Sequence, residues 1–136
     1  MKRIITMLCL IALITGCDKD DPVQEGITTI TGNTYWAEQG LNYSGDNIFL
    51  VYAFKSGDTI AIEERVDSRD GSVARTYTGK YTYDHPELQL EIFYSEECPD
   101  CSNKFTAKVA DNRKSFNYTI WDMVSSKNKN LNFVIF

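Results

Sequence analysis

From Asn33 to the C-terminus the sequence repeats one pattern, in which apolar and polar residues alternate in short runs separated by turn residues. Alternation with a period of two is typical of β-strands, because successive side chains then point to opposite faces. No segment sustains the 3.6-residue period of an amphipathic helix. The pattern predicts an all-β domain of eight strands, at Trp36, 48–55, 59–66, 73–83, from Pro86 through Ile92, 104–110, 113–121 and 131–136.

Short polar connections join these predicted strands, and short connections make consecutive strands antiparallel neighbours. An open meander of eight strands would leave two edges exposed, and the last strand is apolar up to Phe136. We therefore expect an eight-stranded antiparallel up-and-down barrel, in which the first strand pairs with the last. The connections are predicted at Ser56-Gly57 as a two-residue turn, 67–71, Asp111-Asn112 and, as a longer polar loop, 125–130.

The N-terminal segment has the three parts of an export signal. Lys2 and Arg3 give it a positive start, and the apolar run 4–13 is too short to span a hydrocarbon core of about 30 Å. The sequence then reaches Gly16 and Cys17, which resemble a lipobox: a small residue is needed for cleavage before a cysteine whose thiol receives a diacylglyceryl group. We expect residues 1–16 to be a lipoprotein signal peptide and Cys17 to be the lipid anchor; an ordinary signal peptide with a chance cysteine is the alternative.

The residues after the anchor bear on location. Lys19, Asp20 and Asp21 resemble the surface-display signal of Bacteroidetes lipoproteins, whereas Asp18 directly after the cysteine matches the enterobacterial rule for inner-membrane retention. The sequence favours an outer-membrane lipoprotein displayed on the cell surface, with the periplasmic face of that membrane as the alternative.

The length and the charge of the mature chain indicate a single acidic domain. Residues 17–31 are predicted to be a linker and residues 32–136 the barrel, which is one domain by size. Loss of Lys2 and Arg3 with the signal leaves 12 basic and 19 acidic residues, a net charge of −7. An acidic chain without a basic patch is not expected to bind nucleic acid.

Two cysteines remain after the signal and the anchor are set aside. Cys98 and Cys101 form a Cys-x-x-Cys pair in a polar loop between two predicted strands. In an oxidising compartment we expect a disulfide that staples this turn. A redox-active pair is the alternative, although such pairs use a helix N-terminus that this loop does not predict. A zinc site would need two further ligands, so no metal or cofactor is expected.

A short segment resembles a known family. The run Gly79-Lys80-Tyr81-Thr82-Tyr83-Asp84, with Pro86 and then Leu88-Gln89-Leu90, is similar to the central hairpin of the small lipocalin-like lipoproteins of Bacteroidetes. The resemblance follows the strand order from Trp36 to Phe136. It implies a lipocalin-like barrel that can enclose a cavity, and it implies no particular ligand.

Three tyrosines are the candidate ligand-binding residues. Tyr77, Tyr81 and Tyr118 share the faces of their strands with core residues, and a tyrosine ring offers apolar area with a hydroxyl. Alternatively they fill the barrel, since eight strands enclose a space just wide enough for side chains.

Two functions follow from these patterns. The first is a non-catalytic binding module for a small apolar or amphipathic ligand. The second is a filled-core accessory or inhibitor protein of an envelope complex, with Phe49, Val51, Trp121 or Val134 as its outer contact patch. An enzyme is not expected: there is one histidine, His85, in a turn, and the carboxylates Glu63 and Glu64 are strand neighbours that point to opposite faces.

Overall fold

The structure, a computed structural model, describes residues 28–95, 98 and 100–136. The signal, Cys17 and most of the linker therefore lie outside the described residues. Eight antiparallel strands follow one another around a closed barrel, and β1 pairs with β8. The predicted fold class and its closure are confirmed. The strands are β1 (Thr34–Leu41), β2 (Asn47–Lys55), β3 (Thr59–Val66), β4 (Val73–Asp84), β5 (Glu87–Phe93), β6 (Ser102–Val109), β7 (Ser115–Asp122) and β8 (Lys127–Ile135).

Three local predictions are wrong. The turn predicted at Asp111-Asn112 runs from Ala110 to Lys114, and Arg113, predicted to begin a strand, lies in it with φ 55°. The loop predicted at 125–130 is mostly strand, because β8 begins at Lys127 and pairs with the end of β7. Lys127, Asn128 and Asn130 are exposed, so this stretch lacks the apolar alternation that marks a half-buried strand. The turn after β2 has three residues rather than two, because Asp58 (φ 57°) joins Gly57 (φ 77°) in the left-handed region.

One end of the barrel is closed by the chain that enters it. Residues 28–33, which we call the plug, lie at the end where β1 begins, and Ile30 is fully buried in the core. Backbone hydrogen bonds from Gly32 N to Phe54 O (2.8 Å) and from Phe54 N to Asn33 O (3.0 Å) attach the plug to β2. Ile30, a residue of the predicted linker, is thus part of the core. The closed sheet and its buried core, as far as the structure describes them, lie within residues 30–136, so a chain that starts at Asp18 includes them.

The half of the barrel next to the plug is filled by aromatic side chains. The rings of Phe116 and Phe133 stack with centroids 4.6 Å apart and planes inclined by 6°. Tyr35 meets Phe116 edge-on at 5.2 Å, and Tyr52 packs on Phe133 at 4.6 Å. Buried aromatic pairs of this kind contribute about 0.5–1.5 kcal/mol each beyond their burial. This end therefore has no room for a ligand the size of a lipid.

The opposite end, which we call the mouth, is less tightly closed. The hairpin of β7 and β8 is paired with itself over eight residue pairs. β7 pairs with β6 over only two residue pairs, Lys108 with Asn117 and Val109 with Phe116. β8 likewise pairs with β1 over two, Tyr35 with Ile135 and Trp36 with Val134. All four pairs lie near the plug, so the walls diverge towards the mouth.

Candidate functional site

A cavity of about 750 Å³ occupies the mouth, and we call it the cup. Its walls come from the ends of the strands and from the loops after β1 and β7. Leu41, Tyr94, Ile120 and Trp121 supply apolar surface, and Glu64 supplies a carboxylate. Ligand sites in proteins commonly have about 300–1,000 Å³, mostly apolar walls and a few polar groups. The cup has the size and the composition of such a site.

The rim of the cup exposes large apolar side chains. Among the described residues, eight large hydrophobic side chains are exposed, and seven of them lie at the mouth end: Leu41, Tyr43, Val73, Tyr94, Trp121, Met123 and Val124. Scattered single exposed apolar residues are ordinary, but six of these seven, all except Val73, line the cup, and such a set around one opening marks a binding surface. The strand ends and hairpin tips bring these residues together, although they are far apart in the sequence.

Beneath the cup a small chamber of about 70 Å³ continues into the barrel. Its floor is made by Tyr52 and Tyr118, whose hydroxyl oxygens are 2.6 Å apart across the barrel. Burial raises the pKa of both tyrosines well above the ordinary value. One of the two hydroxyls donates to the other, and this hydrogen bond lets both tyrosines stay neutral between the cup and the aromatic core.

The three predicted tyrosines do not form one site. Tyr77 and Tyr118 both line the small chamber under the cup. Tyr81 is buried at the opposite end, where its hydroxyl is 2.7 Å from Thr31 Oγ1 and donates to Lys55 O at 3.2 Å. All three side chains belong to the core, as predicted. The aromatic core separates Tyr81 from the cup, and strand alternation does not reveal the height of a side chain along the barrel.

Glu64 is a site residue that the sequence reasoning passed over. Its side chain, 19 % exposed, points into the cup, whereas Glu63 lies on the outer face and pairs with Arg65 at 2.6 Å. The predicted opposition of Glu63 and Glu64 is thus confirmed. The missed signal was parity: Glu64 falls on the same face of β3 as Ile60 and Ile62, so a carboxylate had to face the interior.

Tyrosine rings surround this carboxylate. The Tyr77 hydroxyl donates a hydrogen bond to Glu64 Oε1 at 3.0 Å. The ring of Tyr94 meets that of Tyr77 edge-on with centroids 5.2 Å apart, and all three residues line the chamber. Burial raises the pKa of Tyr77, and the negative charge of Glu64 raises it further. The arrangement places one anionic group among aromatic rings at the bottom of an apolar cup.

Two cations lie near the cup, and both have partners. Arg75 Nε is 4.0 Å from Glu64 Oε2, and the arginine side chain is 72 % exposed at the rim. Lys129 Nζ donates to the backbone carbonyl of Gln39, which bridges β8 to β1 above their last paired residues. Three carboxylates, those of Asp46, Glu64 and Asp122, line the cup against the guanidinium of Arg75 and the nearby ammonium of Lys129, so acidic groups outnumber basic ones.

A second cavity, of about 660 Å³, lies along β4, β5 and β6. Exposed polar side chains such as Lys80, Gln89 and Lys104 contribute to its walls. Asp58 and Glu91 are its two carboxylates, and Glu91 accepts from Ser102 Oγ at 2.8 Å and pairs with Lys104 at 3.7 Å. None of the large exposed hydrophobic side chains among the described residues lines this groove, so the cup is the better candidate for a ligand site.

The two cysteines and the histidine considered in the sequence analysis take part in contacts within loops and turns. Cys98 and Cys101 are bonded, with sulfurs 1.96 Å apart, in the loop between β5 and β6. His85 lies in the turn after β4, where its Nδ1 is 2.9 Å from the Tyr83 hydroxyl and its Nε2 is 3.5 Å from Asp111 Oδ1. Within the described ranges no group of three histidine, cysteine or acidic residues is placed to hold a metal ion.

The predicted outer patch divides into two places. Phe49, Val51 and Val134 lie around Trp36 on the outer face; the rings of Trp36 and Phe49 are 6.1 Å apart. Val51 is buried there. Trp121 belongs to the rim of the cup instead, because β7 carries it to the mouth.

The class of this protein rests on its fold and on the cup. No protein family, curated protein or solved structure matches this chain. In the part of the chain that the structure describes, no helix has the length and apolar character needed to cross a bilayer. Strand order and closure define an eight-stranded up-and-down barrel of the lipocalin-like kind, plugged at one end and open to a cup at the other.

Proposed function

We propose that this chain is a non-catalytic binding module of the cell envelope, which holds a small apolar or amphipathic molecule in the cup. The single observation that carries the proposal is the cup itself, a cavity of about 750 Å³ ringed by exposed apolar side chains at the open end of an otherwise filled barrel. Exposing such residues to water is unfavourable, by about 25 cal/mol per Å² of apolar surface. An apolar ligand would relieve that cost.

The filled half of the barrel limits how a ligand would lie. The floor at Tyr52 and Tyr118 separates the cup from the aromatic core. A ligand would therefore insert one end to the depth of Ile120 and leave its remainder at the rim. This favours a short or partly exposed amphiphile over a molecule that is engulfed along the whole barrel axis.

The lipid anchor belongs to the same proposal. An export signal, Cys17 and residues 17–31 would tether the barrel to the outer membrane, on the cell surface. The described chain enters the barrel through the plug, at the end opposite to the cup. The anchor would then attach away from the cup, which supports capture of the ligand from the surroundings rather than from the membrane that holds the anchor.

The exposed rim also supports a second candidate, an accessory or inhibitor protein that contacts an envelope protein. Trp121 (61 % exposed) and Met123 (60 % exposed) are residue types that are enriched at protein interfaces. Under this function the rim would be covered by a partner protein, and a small molecule that fills the cup would not bind.

A fluorescent probe distinguishes the two functions. The chain from Asp18 is titrated with N-phenyl-1-naphthylamine, an uncharged compound whose emission rises in apolar surroundings. Ala74 lines the cup at the point where the register of β4 against β3 shifts, so it does not follow the strict alternation of the strand. Ala74→Trp adds bulk to the cup, and we expect it to weaken probe binding by about tenfold, the loss of roughly 1.4 kcal/mol. Thr76→Trp is the matched control, because it adds the same bulk to an exposed position of the same strand. Equal binding by the wild type and both variants would remove the cup from consideration, and no binding by the wild type would favour the protein partner.

A further inference from the structure

We propose that the cup selects amphiphiles with a cationic head group, a primary or quaternary amine, and that Glu64 is the residue that binds this head. The inference rests on the proposed function, because it names the ligand class of the same cavity. It begins from one fact of placement: a carboxylate points into an aromatic, largely apolar space. A charge in such surroundings is costly unless a partner of opposite sign meets it.

The partners that Glu64 has in the described structure leave room for another. A carboxylate has about four lone-pair positions. Tyr77 donates to Oε1, and Arg75 approaches Oε2 at 4.0 Å, the outer limit of an ion pair. Arg75 also hydrogen-bonds Tyr77, but its side chain is 72 % exposed, so its pairing with Glu64 is weak. An ammonium group that enters the cup can take its place at a shorter distance.

The rings near Glu64 suit the same head group. Tyr77 and Tyr94 stand edge-to-face beside the carboxylate, and Trp121 lies at the rim above them. Cations are attracted to the faces of aromatic rings, and aromatic cages are the usual way in which proteins recognise methylated ammonium groups. The carboxylate would supply the charge and the rings would supply the walls around the methylene or methyl groups next to the nitrogen.

The charges of the cup disfavour an anionic head. Asp46 and Asp122 stand at the rim in addition to Glu64, and hydrogen bonds from Ser125 and Val124 lower the pKa of Asp122 and keep it ionised. Lys129 is held on Gln39 O in the wall between β8 and β1. A fatty acid or a phosphate would therefore meet three carboxylates against one exposed guanidinium and the ammonium of Lys129, which is already bonded.

The test uses ligands that share one chain and differ only in the head. Octylammonium, octyltrimethylammonium, octanol and octanoate each displace N-phenyl-1-naphthylamine from the chain that begins at Asp18, at pH 7. We expect the two cations to bind at least about tenfold more tightly than octanol, and octanoate to bind most weakly. One charge-assisted interaction usually raises a binding affinity by roughly tenfold to a hundredfold, which is the source of this expected ratio.

Two variants with the same change in charge assign the effect. Glu64→Gln should lower the affinity for octylammonium about tenfold, to the level of octanol, while the octanol and probe affinities stay within about threefold. Glu63→Gln removes the neighbouring charge from the outer face and should change neither. The unchanged probe affinity shows that Glu64→Gln has folded.

The outcomes separate this inference from the proposed function. If octanol binds in the cup but the cations bind no better, or if Glu63→Gln weakens octylammonium as much as Glu64→Gln does, the assignment of the head group is refuted and the apolar cup remains. If neither the probe nor octanol binds the wild-type chain, the proposed function fails and the inference fails with it.

Discussion

The hydrogen bond between Tyr52 and Tyr118 offers a direct test of the filled barrel. Phenylalanine at either position keeps the ring and removes only a hydroxyl, so no large cavity forms. Each single change leaves the other hydroxyl without its 2.6 Å partner among buried aromatic rings. A buried hydroxyl that loses its only partner costs about 1–3 kcal/mol, whereas replacing both partners by apolar groups of the same shape is nearly neutral. We therefore expect Tyr52→Phe and Tyr118→Phe each to destabilise the barrel by about 1–3 kcal/mol.

Urea unfolding measures this effect. With a slope of about 1.5 kcal/mol per molar urea, the midpoint of each single variant should fall by about 0.7–2 M. The double variant should recover most of the loss, so that the coupling energy approaches the sum of the two single losses. If both single variants unfold within about 0.2 M of the wild type, water reaches the hydroxyls from the cup, and the separation of cup from core is refuted.

The remaining predictions concern the tyrosines, the plug and one glycine. Burial raises the pKa of Tyr35 to about 12, and it raises those of Tyr52 and Tyr118 as well. The contribution of these tyrosines to the free energy of unfolding is complete below pH 10 and is lost as pH rises towards 12, because the tyrosines of the unfolded chain ionise first. In urea unfolding, the free energy should fall above pH 10 by up to about 1.4 kcal/mol per group and pH unit. Ionisation of all tyrosines, followed at 295 nm, without unfolding would contradict this. Ile30→Ala should cost about 2–4 kcal/mol by the same assay, because Ile30 is fully buried, whereas Val73→Ala at the exposed rim should cost under about 0.5 kcal/mol; equal costs would mean that the plug does not pack in solution. Gly79→Ala should destabilise the barrel by about 1–3 kcal/mol, since a Cβ there would lie 2.7 Å from the Glu91 carbonyl oxygen, and a variant as stable as the wild type in thermal unfolding would show that β4 and β5 can separate.

Most of the fold follows from the period-two pattern. Where one strand face is buried and the other is in water, as in β5 from Glu87 to Phe93, the alternation of apolar and polar residues marks the strand clearly. The closure of β1 on β8 was predicted from the apolar last strand, which needs a partner. Prediction failed at Lys127–Asn130, where most side chains at the mouth are in water and the strand is specified by its pairing with β7 rather than by its own pattern.

The site was less accessible to sequence reasoning. Alternation shows which face a side chain takes but not its height along the barrel, so Tyr81 at the plug and Tyr118 at the floor of the cup received the same interpretation. The plug at Ile30 and the divergence of β6 from β7 are tertiary features with no local signature. The alternation of β3 predicts that Glu64 faces the interior, but the sequence analysis treated it only as the neighbour of Glu63.

The most direct test of the cup is a ¹H–¹⁵N spectrum of the ¹⁵N-labelled chain from Asp18, recorded during titration with octylammonium. The account predicts saturable shifts of the amides that line the cup, those of Leu41, Glu64, Tyr94 and Ile120 and the indole of Trp121, and unchanged signals at Phe54, Tyr81 and Leu88 near the plug. Shifts centred on the plug or on the groove at Lys80 and Lys104, or no shifts at saturating ligand, would contradict it.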